Sequence, residues 1–493
     1  MLDISGLTFF YPGQARPVIK GLSLRLPPGS ITLVTGRSGS GKSTLAGLIM
    51  GTLPREGHED TSSTCKVEGS IKVKGQEMRG RNPYSRAGLV GLVSQDPDSQ
   101  LCTMSVKDEI AFGPENLCLP RKKIAQRSKW ALGTVKASNL MERSTFSLSG
   151  GEKQKVTIAS IMAMKPDLLV LDEPTASMDP SSTMQLMDVV ERLRDNIGTS
   201  MLIFEHRTHV FRSQVDHFLE LKDGRLVRSD QLIQDVMVQR KGPTITTTTK
   251  QKPLLSIKDL WVNREERNVL KGVNLDIYPG QITALMGDNG SGKTTLALSC
   301  LNMIPVQKGR VLVKEKDAIK MSTSKLALDI GFVFQNPNSQ IFGSTVEEEV
   351  LIGPRSLGMD MEASMVKANE LLKDLDLHRY RNHSPQVLSH GEKRRLNLAS
   401  ALVHDPGILI LDEVFVGQDL GFMESISKLL QKQAECGKGI LLILHDPVLA
   451  RIICHRVAFL GKGKLLLHEP VGQGLEKLSK MCIPGYSKEV WGE

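Results

Sequence analysis

The distribution of apolar residues along the chain predicts an alternation of strands and helices. Short apolar runs rich in β-branched residues end at glycine-rich turns at 31–36 and at 282–287, which is typical of strands. The apolar stretch that follows each turn predicts a helix. Two further runs, 168–171 and 408–411, are continuously apolar and bounded by turn signals, as are strands that are covered on both faces. The pattern therefore predicts an α/β fold with a mainly parallel core sheet.

The composition is that of an ordinary globular protein with a mild basic excess. Of 493 residues, 40% are apolar and 24% charged, which excludes wholesale disorder. The net charge of +9 suits phosphorylated ligands, nucleic acid or an anionic membrane surface, but it also suits proteins with none of these partners. The seven cysteines are scattered without a C-x-x-C pair, which favours a reducing compartment over disulfides or a zinc site. The sequence contains neither a signal-peptide pattern nor an apolar run near the ~18 residues of a membrane-spanning helix.

The same ordered set of motifs occurs twice in the sequence. GRSGSGKST at 36–44 recurs as GDNGSGKTT at 287–295, and LSGGEKQK at 148–155 recurs as LSHGEKRR at 388–395. A glutamine-containing segment, an LDE triplet after an apolar run, and a histidine recur in the same order. The nearly constant spacing of the copies predicts two homologous domains.

A segment without apolar periodicity separates the two copies. KGPTITTTTKQKP is rich in Thr, Lys, Gly and Pro, which predicts a linker at 231–252 between domains at 1–230 and 253–493. The first copy is longer between its first two motifs. Its polar segment 54–66 predicts a surface insertion there.

Each copy contains the motif G-x-x-x-x-G-K-[ST], at 36–43 and at 287–294, between a predicted strand and a predicted helix. In such a loop, inward-pointing backbone N–H groups and the helix N-terminus surround phosphate groups. Lys42 and Lys293 would reach the terminal phosphates, and the hydroxyl residue after each lysine can hold Mg²⁺. The motif therefore predicts a bound nucleotide with Mg²⁺ in each copy.

A pair of carboxylates follows each of the two continuously apolar strands. The pairs are Asp172 with Glu173 and Asp412 with Glu413. A strand end holds a side chain rigidly, so the aspartate can bind Mg²⁺ through water and the glutamate can polarise an attacking water. These residues are candidates for the chemistry of phosphoryl transfer to water.

This order of motifs resembles that of the ATP-binding cassette (ABC) ATPases, and LSGGE is its most specific element. The resemblance covers both halves apart from the linker and the tail. It implies two P-loop NTPase cassettes in tandem, each with a mainly parallel core sheet, an antiparallel β subdomain and a helical signature subdomain. It also implies that the cassettes clamp two ATP molecules as an intramolecular pseudo-dimer, each ATP meeting the phosphate loop of one cassette and the signature of the other.

The resemblance implies a role for individual residues of both copies. Catalytic roles fall to Glu173, Glu413, His206, His445, Gln95 and Gln335. The residues implied for Mg²⁺ are Ser43, Gln95, Asp172, Thr294, Gln335 and Asp412. The residues implied for ATP are Tyr11, Gly36, Ser38, Gly39, Gly41, Lys42, Ser43, Thr44, Ser149, Gly150 and Gly151 in the first copy, and Gly287, Asn289, Gly290, Gly292, Lys293, Thr294, Thr295, Ser389 and Gly391 in the second.

The second copy departs from the family pattern at three places. Tyr11 stands where such ATPases stack an aromatic ring on adenine, whereas the second copy offers Arg264 or Trp261. His390 replaces the first glycine of the signature, and Val414 replaces the usual proline after the catalytic glutamate. Whether the two sites turn over equally is left open by these differences.

The segments after the two glutamines resemble the energy-coupling factor (ECF) subgroup. They read SQDPDSQLCTMSVKDEIAFGPENLCLP and FQNPNSQIFGSTVEEEVLIGPRSLGMD. The resemblance implies ATP hydrolysis that drives uptake of a vitamin, a vitamin precursor or a transition-metal ion, with a thiamine precursor as the first hypothesis. It implies a transmembrane coupling protein and a substrate-capturing membrane protein as partners, with this chain peripheral at the cytoplasmic face of the cell membrane. Residues 108–109 and 347–349 are acidic and are candidates to contact the partner, or solvated first turns of a helix.

Three other functions compete with this interpretation. Tandem cassettes also occur in sugar importers, but the ECF-like segments argue against that class. Soluble cassette proteins that act on ribosomes or nucleic acid would suit the basic charge, yet the linker is short and contains no long charged helical arm. A non-hydrolysing scaffold would not require the two Asp-Glu pairs.

Overall fold

The computed structural model describes residues 1–14, 16–37, 39–53, 65–81, 83–95, 97–176, 178–206, 208–211, 214–228, 243, 251–264 and 267–491. The chain divides into two compact units, Met1–Asp235 and Val236–Glu493. Most of the insertion predicted at 54–66 and most of the linker predicted at 231–252 lie outside the described residues.

The first unit contains two sheets among its described residues. Its strands are β1 (Leu2–Phe10), β2 (Ile19–Leu26), β3 (Ile31–Thr35), β4 (Lys66–Val73), β5 (Gln76–Glu77), β6 (Val90–Val93), β7 (Leu168–Asp172), β8 (Ser200–Phe204), β9 (His217–Lys222) and β10 (Arg225–Arg228). One sheet is antiparallel, in the order β2-β1-β4-β5. The other has the order β10-β9-β3-β8-β7-β6 and is parallel except for β10. The mainly parallel sheet and the antiparallel sheet expected from the sequence are both present.

The first unit has six helices among its described residues. They are α1 (Lys42–Met50), α2 (Pro83–Ala87), α3 (Val106–Asn116), α4 (Arg121–Thr134), α5 (Gly150–Ala163) and α6 (Pro180–Ile197). Helix α1 begins directly after the glycine-rich loop that follows β3. Helices α3, α4 and α5 pack on one another and form the helical region that contains the LSGGE segment.

The second unit repeats this architecture. Its strands are β11 (Leu255–Arg264), β12 (Arg267–Ile277), β13 (Ile282–Met286), β14 (Lys308–Val313), β15 (Lys316–Asp317), β16 (Ile330–Val333), β17 (Ile408–Asp412), β18 (Gly439–Ile443), β19 (Arg456–Gly461) and β20 (Lys464–Pro470). Its helices are α7 (Lys293–Cys300), α8 (Thr323–Asp329), α9 (Val346–Ser356), α10 (Met361–Asp374), α11 (His390–Leu402), α12 (Leu420–Glu435), α13 (Pro447–Ile453), α14 (Val471–Lys480) and α15 (Lys488–Trp491). The sheets have the orders β12-β11-β14-β15 and β16-β17-β18-β13-β19-β20, which match those of the first unit.

The six-stranded sheet of each unit is covered on both faces. Along β7, Leu169 and Leu171 pack into one hydrophobic core, whereas Leu168 and Val170 pack into another. Both faces of such a strand must be apolar, which explains the continuous run of apolar residues in the sequence. In the described part of the chain, no helix has the length and hydropathy needed to cross a bilayer.

Candidate active site

The glycine-rich loop of each unit joins a central parallel strand to a helix. Gly41 and Gly292 precede α1 and α7 with φ values of 104° and 105°, a backbone region that favours glycine. Lys42 Nζ donates hydrogen bonds to the carbonyl oxygens of Gly36, at 2.8 Å, and Arg37, at 3.2 Å. The ammonium group is therefore held at the loop, where the predicted phosphates would lie.

The second unit reproduces this loop closely. Lys293 Nζ donates to the carbonyl oxygens of Gly287 and Asp288, at 2.8 and 2.9 Å. Gly36, Gly39, Gly287 and Gly290 have positive φ as well, Ser43 is exposed, Asn289 and Thr294 are half-buried, and Thr44 and Thr295 are buried. Ser38 lies outside the described residues.

The two aspartates lie at the ends of β7 and β17, close to the hydroxyl residue of each loop. Thr294 Oγ1 donates a hydrogen bond to Asp412 Oδ2 at 2.8 Å, and Ser43 likewise shares a hydrogen bond with Asp172. The Oδ1 atom of each aspartate is buried and has no hydrogen-bond partner among the described residues. A buried carboxylate oxygen without a partner is costly, so a further ligand on each Oδ1 atom would be stabilising.

The electrostatics of the aspartates favour a cation as that ligand. Burial raises the pKa of Asp172 to about 6 and the pKa of Asp412 to about 7, and the charge of the adjoining glutamate adds to both rises. A divalent cation beside each aspartate would offset both effects. Carboxylate and hydroxyl oxygens are the hard donors that Mg²⁺ prefers, so the residues present fit that ion.

The carboxylate of each glutamate that follows these aspartates lies within hydrogen-bond distance of a histidine ring. His206 Nε2 lies 3.1 Å from Glu173 Oε1, and His445 Nε2 lies 3.0 Å from Glu413 Oε1. Gln95 Nε2 also donates to Glu173 Oε2 at 2.8 Å. The fold thus brings five side chains to the carboxyl end of the parallel strands, where ligands of open α/β sheets bind. They are the phosphate-loop lysine, the aspartate, the glutamate, the histidine and the glutamine.

The second glutamate is kept anionic by its surroundings. Burial alone would raise the pKa of Glu413, but the hydrogen bond and charge of His445, the charge of Arg394 and a hydrogen bond of Gln335 lower it below its ordinary value. Gln335 itself follows β16 and is exposed. An anionic carboxylate at this place can accept a hydrogen bond from water.

Both signature segments open a helix on the surface of their unit. Ser149 and Ser389 cap α5 and α11, each in a capping box with the glutamate three residues on. Gly150, Gly151 and Gly391 lie in the first turns, and the backbone N–H groups there are directed out of the helix. In each unit these residues lie at the start of the signature helix, and an exposed helix N-terminus of this kind can receive an anion.

The hydroxyl of Tyr11, the residue predicted to stack on adenine, lies 3.0 Å from the hydroxyl of Thr44 in the first turn of α1. In the second unit, Arg264 ends β11 at the corresponding position and is exposed. Trp261 is engaged elsewhere, because its Nε1 donates to Asp259 Oδ1 at 2.8 Å and Lys308 lies over its ring. The adenine contact of the second unit stays a hypothesis, and the contacts of Trp261 favour Arg264 as its residue.

Two acidic residues expected to be solvated or to contact a partner are instead folded inward. Glu109 Oε2 accepts hydrogen bonds from the backbone N–H groups of Cys102 and Thr103, at 3.0 and 2.9 Å. Glu349 Oε2 does the same for Phe342 and its neighbour, at 2.7 and 2.6 Å. Both carboxylates are buried, so both alternatives are wrong for these two residues.

Arg394, which follows the second signature, is not among the residues predicted from the sequence, but it is buried and donates to the backbone carbonyl of Glu413. The signal was available, because the first copy reads EKQK where the second reads EKRR. A residue-by-residue comparison of the copies would have exposed the difference.

Known proteins are similar to this chain in both units. The sequence profile of the ABC transporter family matches residues 19–176 and 270–416. A Methanosarcina mazei protein, provisionally named as an ABC transporter ATP-binding protein, is 32% identical over 96% of this chain and 89% of its own. A Bacillus subtilis protein, provisionally named as the HMP/thiamine import ATP-binding protein YkoD, is 29% identical over 98% of this chain and 95% of its own. Among solved structures, Clostridium perfringens cbiO1, described as part of the ABC transporter complex cbiONQ, is 28% identical over 47% of this chain and 96% of its own, with a TM-score of 0.42. The chain therefore belongs to the ABC transporter family, and its two cassettes are ATPase domains of a transporter's ATP-binding subunit.

Proposed function

We propose that this chain energises a membrane importer of the ECF type, acting at the cytoplasmic face of the membrane. The observation that carries the proposal is the segment after each glutamine, whose sequence resembles the ECF subgroup in both cassettes. In each of these segments one buried carboxylate, that of Glu109 or Glu349, accepts hydrogen bonds from backbone N–H groups of the loop. Large apolar side chains of the same region remain exposed to solvent. Such a surface suits a permanent partner better than it suits water.

The proposed contact with the partner is a pair of apolar patches, which we call the docking patches. In the first cassette the patch consists of Met104 and Phe146, which are 77% and 79% exposed. Their segments are adjacent, because the N–H of Thr145 donates to the carbonyl of Met104 at 3.1 Å.

In the second cassette we assign Phe342 and Val387, which are 79% and 62% exposed, to the patch, because their segments meet where the N–H of Val346 donates to the carbonyl of His383 at 3.0 Å. An amphipathic helix on the cytoplasmic side of a transmembrane coupling protein would cover each patch.

Within each cassette, the residues described above would divide the work of ATP hydrolysis. Lys42 and Lys293 would hold the terminal phosphates, and Asp172 and Asp412 would hold Mg²⁺ with the hydroxyl residue of each loop. When bound, Mg²⁺ would neutralise phosphate charge that builds up in the reaction. The glutamate after each aspartate would accept a hydrogen bond from the attacking water.

Further residues complete this proposed division of roles. His206 and His445 would hold the glutamates in place and contact the γ-phosphate. Ser149 and Ser389, with the glycines that follow them, would bind the triphosphate of the opposite cassette, as the family resemblance implies. Tyr11 would stack on the base of the first nucleotide.

A thiamine precursor is the first candidate for the transported substrate. The support is the relation to YkoD, whose name describes import of HMP and thiamine and which is similar along nearly its whole length. A vitamin, another vitamin precursor or a transition-metal ion remains within the same proposal. Growth of the source organism without this gene, with and without each candidate supplement, would distinguish among them.

Co-purification tests the proposed partner. A tagged chain isolated from its own membranes should bring down a multi-spanning coupling protein, identified by mass spectrometry. Phe342→Asp in the docking patch should abolish this, whereas Val227→Asp, at an apolar position that is 50% exposed outside the patches, should leave it unchanged. Recovery of ribosomes in a salt-sensitive manner, with no membrane protein, would contradict the proposal.

A further inference from the structure

The signature helices of the two cassettes differ at one buried position. The residue is Arg394 in α11 of the second cassette and Gln154 in α5 of the first. Both occupy the same sequence position relative to the serine that caps the helix. Both side chains are 3% exposed. One cassette therefore carries a buried positive charge where the other has a neutral amide.

Arg394 lies against the strand end that carries the second carboxylate pair. Its Nη1 donates a hydrogen bond to the backbone carbonyl of Glu413. Asp412 and Glu413 are themselves buried, and both interact electrostatically with the guanidinium. A buried cation beside two buried carboxylates offsets part of their mutual repulsion.

The first cassette has the opposite difference at a nearby position. Glu205 is buried and accepts hydrogen bonds from Thr175 Oγ1 at 2.6 Å and from the backbone N–H of His206 at 2.8 Å. Its negative charge also acts on Asp172. The residue before the second histidine is Leu444, which is apolar.

The buried carboxylate beside the second histidine is instead that of Asp446, which follows it and caps α13 by accepting from the backbone N–H of Val448 at 2.8 Å. The charges that act most on Asp412 are those of Glu413, Lys293 and Arg394.

We infer that Arg394 makes nucleotide binding by the second cassette less dependent on Mg²⁺ than binding by the first. A positive charge beside Asp412 attracts the nucleotide polyphosphate when no metal is bound, and it repels a divalent cation held by that aspartate. In the first cassette the negative charge of Glu205 has the reverse effects, because it repels the nucleotide polyphosphate and attracts a divalent cation held by Asp172. The inference rests on the nucleotide site proposed above and assigns Arg394 a role within it.

The test compares ADP affinity in EDTA with ADP affinity in MgCl₂, measured by isothermal titration calorimetry on the full chain. Lys42→Ala weakens the first site so that the second is read, and Lys293→Ala does the reverse. The quantity of interest is the ratio of the Kd in EDTA to the Kd in Mg²⁺. We expect this ratio to be about tenfold larger at the first site than at the second.

Three variants locate the cause of the difference. Arg394→Gln, which installs the residue of the first cassette, should raise the ratio at the second site about tenfold. Arg394→Lys keeps the charge and should leave the ratio within about twofold of the original. Gln154→Arg should lower the ratio at the first site.

The possible outcomes distinguish a failure of the inference about Arg394 from a failure of the proposed nucleotide site. A normal affinity for MgADP with an unchanged ratio in Arg394→Gln would overturn the inference and leave the site intact. If that variant does not fold, equal ratios at the two sites of the parent chain, together with no effect of Gln154→Arg, would overturn it. Absence of MgADP binding by the Lys42→Ala chain would overturn the proposed second site and the inference with it.

Discussion

The phenol oxygen of Tyr11 lies 3.0 Å from the hydroxyl of Thr44, in the first turn of the helix that follows the phosphate loop. The ring of Phe9 meets the Tyr11 ring edge-on, with centroids 4.9 Å apart. These two contacts fix an aromatic face beside the first nucleotide site. In the second cassette, Arg264 holds the corresponding position.

The difference between Tyr11 and Arg264 predicts unequal contacts with adenine. Tyr11→Ala should weaken ATP binding at the first site by about tenfold, since stacking on a base is worth ~1–3 kcal/mol. Arg264→Tyr should strengthen binding at the second site. Calorimetric titration checks both, with the lysine of the other phosphate loop replaced by alanine.

Trp261→Ala is the control for these variants. The Trp261 ring is bonded to Asp259 and covered by Lys308, so its loss should leave the ATP affinity unchanged. Weaker ATP binding by Trp261→Ala would show that the second base stacks on this ring instead.

The sequence could place Trp261 and Arg264 near the second site but could not choose between them. Alternation along a strand decides which side chain faces the nucleotide, and this alternation depends on strand pairing. The pairing of β11 and β12 is interrupted by three irregularities in register, which no local pattern announces. Motifs with fixed spacing, such as the phosphate loops, carry their own geometry and were therefore predictable.

The buried carboxylate of Glu349 should stabilise the second cassette through its hydrogen bonds to the loop backbone. Its buried carboxylate accepts backbone hydrogen bonds from Phe342 and Gly343, so Glu349→Gln leaves these donors poorly matched. We expect a loss of ~1–3 kcal/mol in the free energy of unfolding, measured by urea denaturation. Glu347→Gln, at a half-buried carboxylate two residues earlier in the same helix, is the control and should change stability much less. Equal effects of the two variants would contradict the buried role of Glu349.

His468 should make the second cassette sensitive to acid. Burial and the neighbouring charge of Arg456 lower the pKa of His468 from 6.5 to about 4 in the folded protein. Because the unfolded chain then binds the proton more readily, stability is retained above pH 6.5 and lost as the pH falls towards 4.

The His468→Gln variant measures this effect. Between pH 8 and pH 5 the parent chain should lose about 2 kcal/mol more unfolding free energy than the variant does. Urea denaturation at both pH values gives the difference. An equal loss in the two proteins would mean that His468 is protonated in the folded state.

Burial of charge was the property least accessible from the sequence. Glu109, Glu349 and Arg394 all resemble solvated helix residues when the chain is considered alone. Each is turned inward because the tertiary structure supplies a partner, either loop N–H groups or the carbonyl of Glu413. Periodicity can identify the inward face of a helix, but the partner on the other side belongs to a distant part of the chain.

We propose that Glu173 and Glu413 polarise the attacking water in the two cassettes. The decisive measurement is steady-state ATP hydrolysis by the double variant Glu173→Gln/Glu413→Gln, with ATP affinity measured on the same preparation. Glu435→Gln, at an exposed position near the end of α12, is the matched control and should hydrolyse normally. We predict a loss of at least about a hundredfold in rate, with affinity changed by less than about threefold. Hydrolysis by the double variant at the rate of the parent chain would contradict the account.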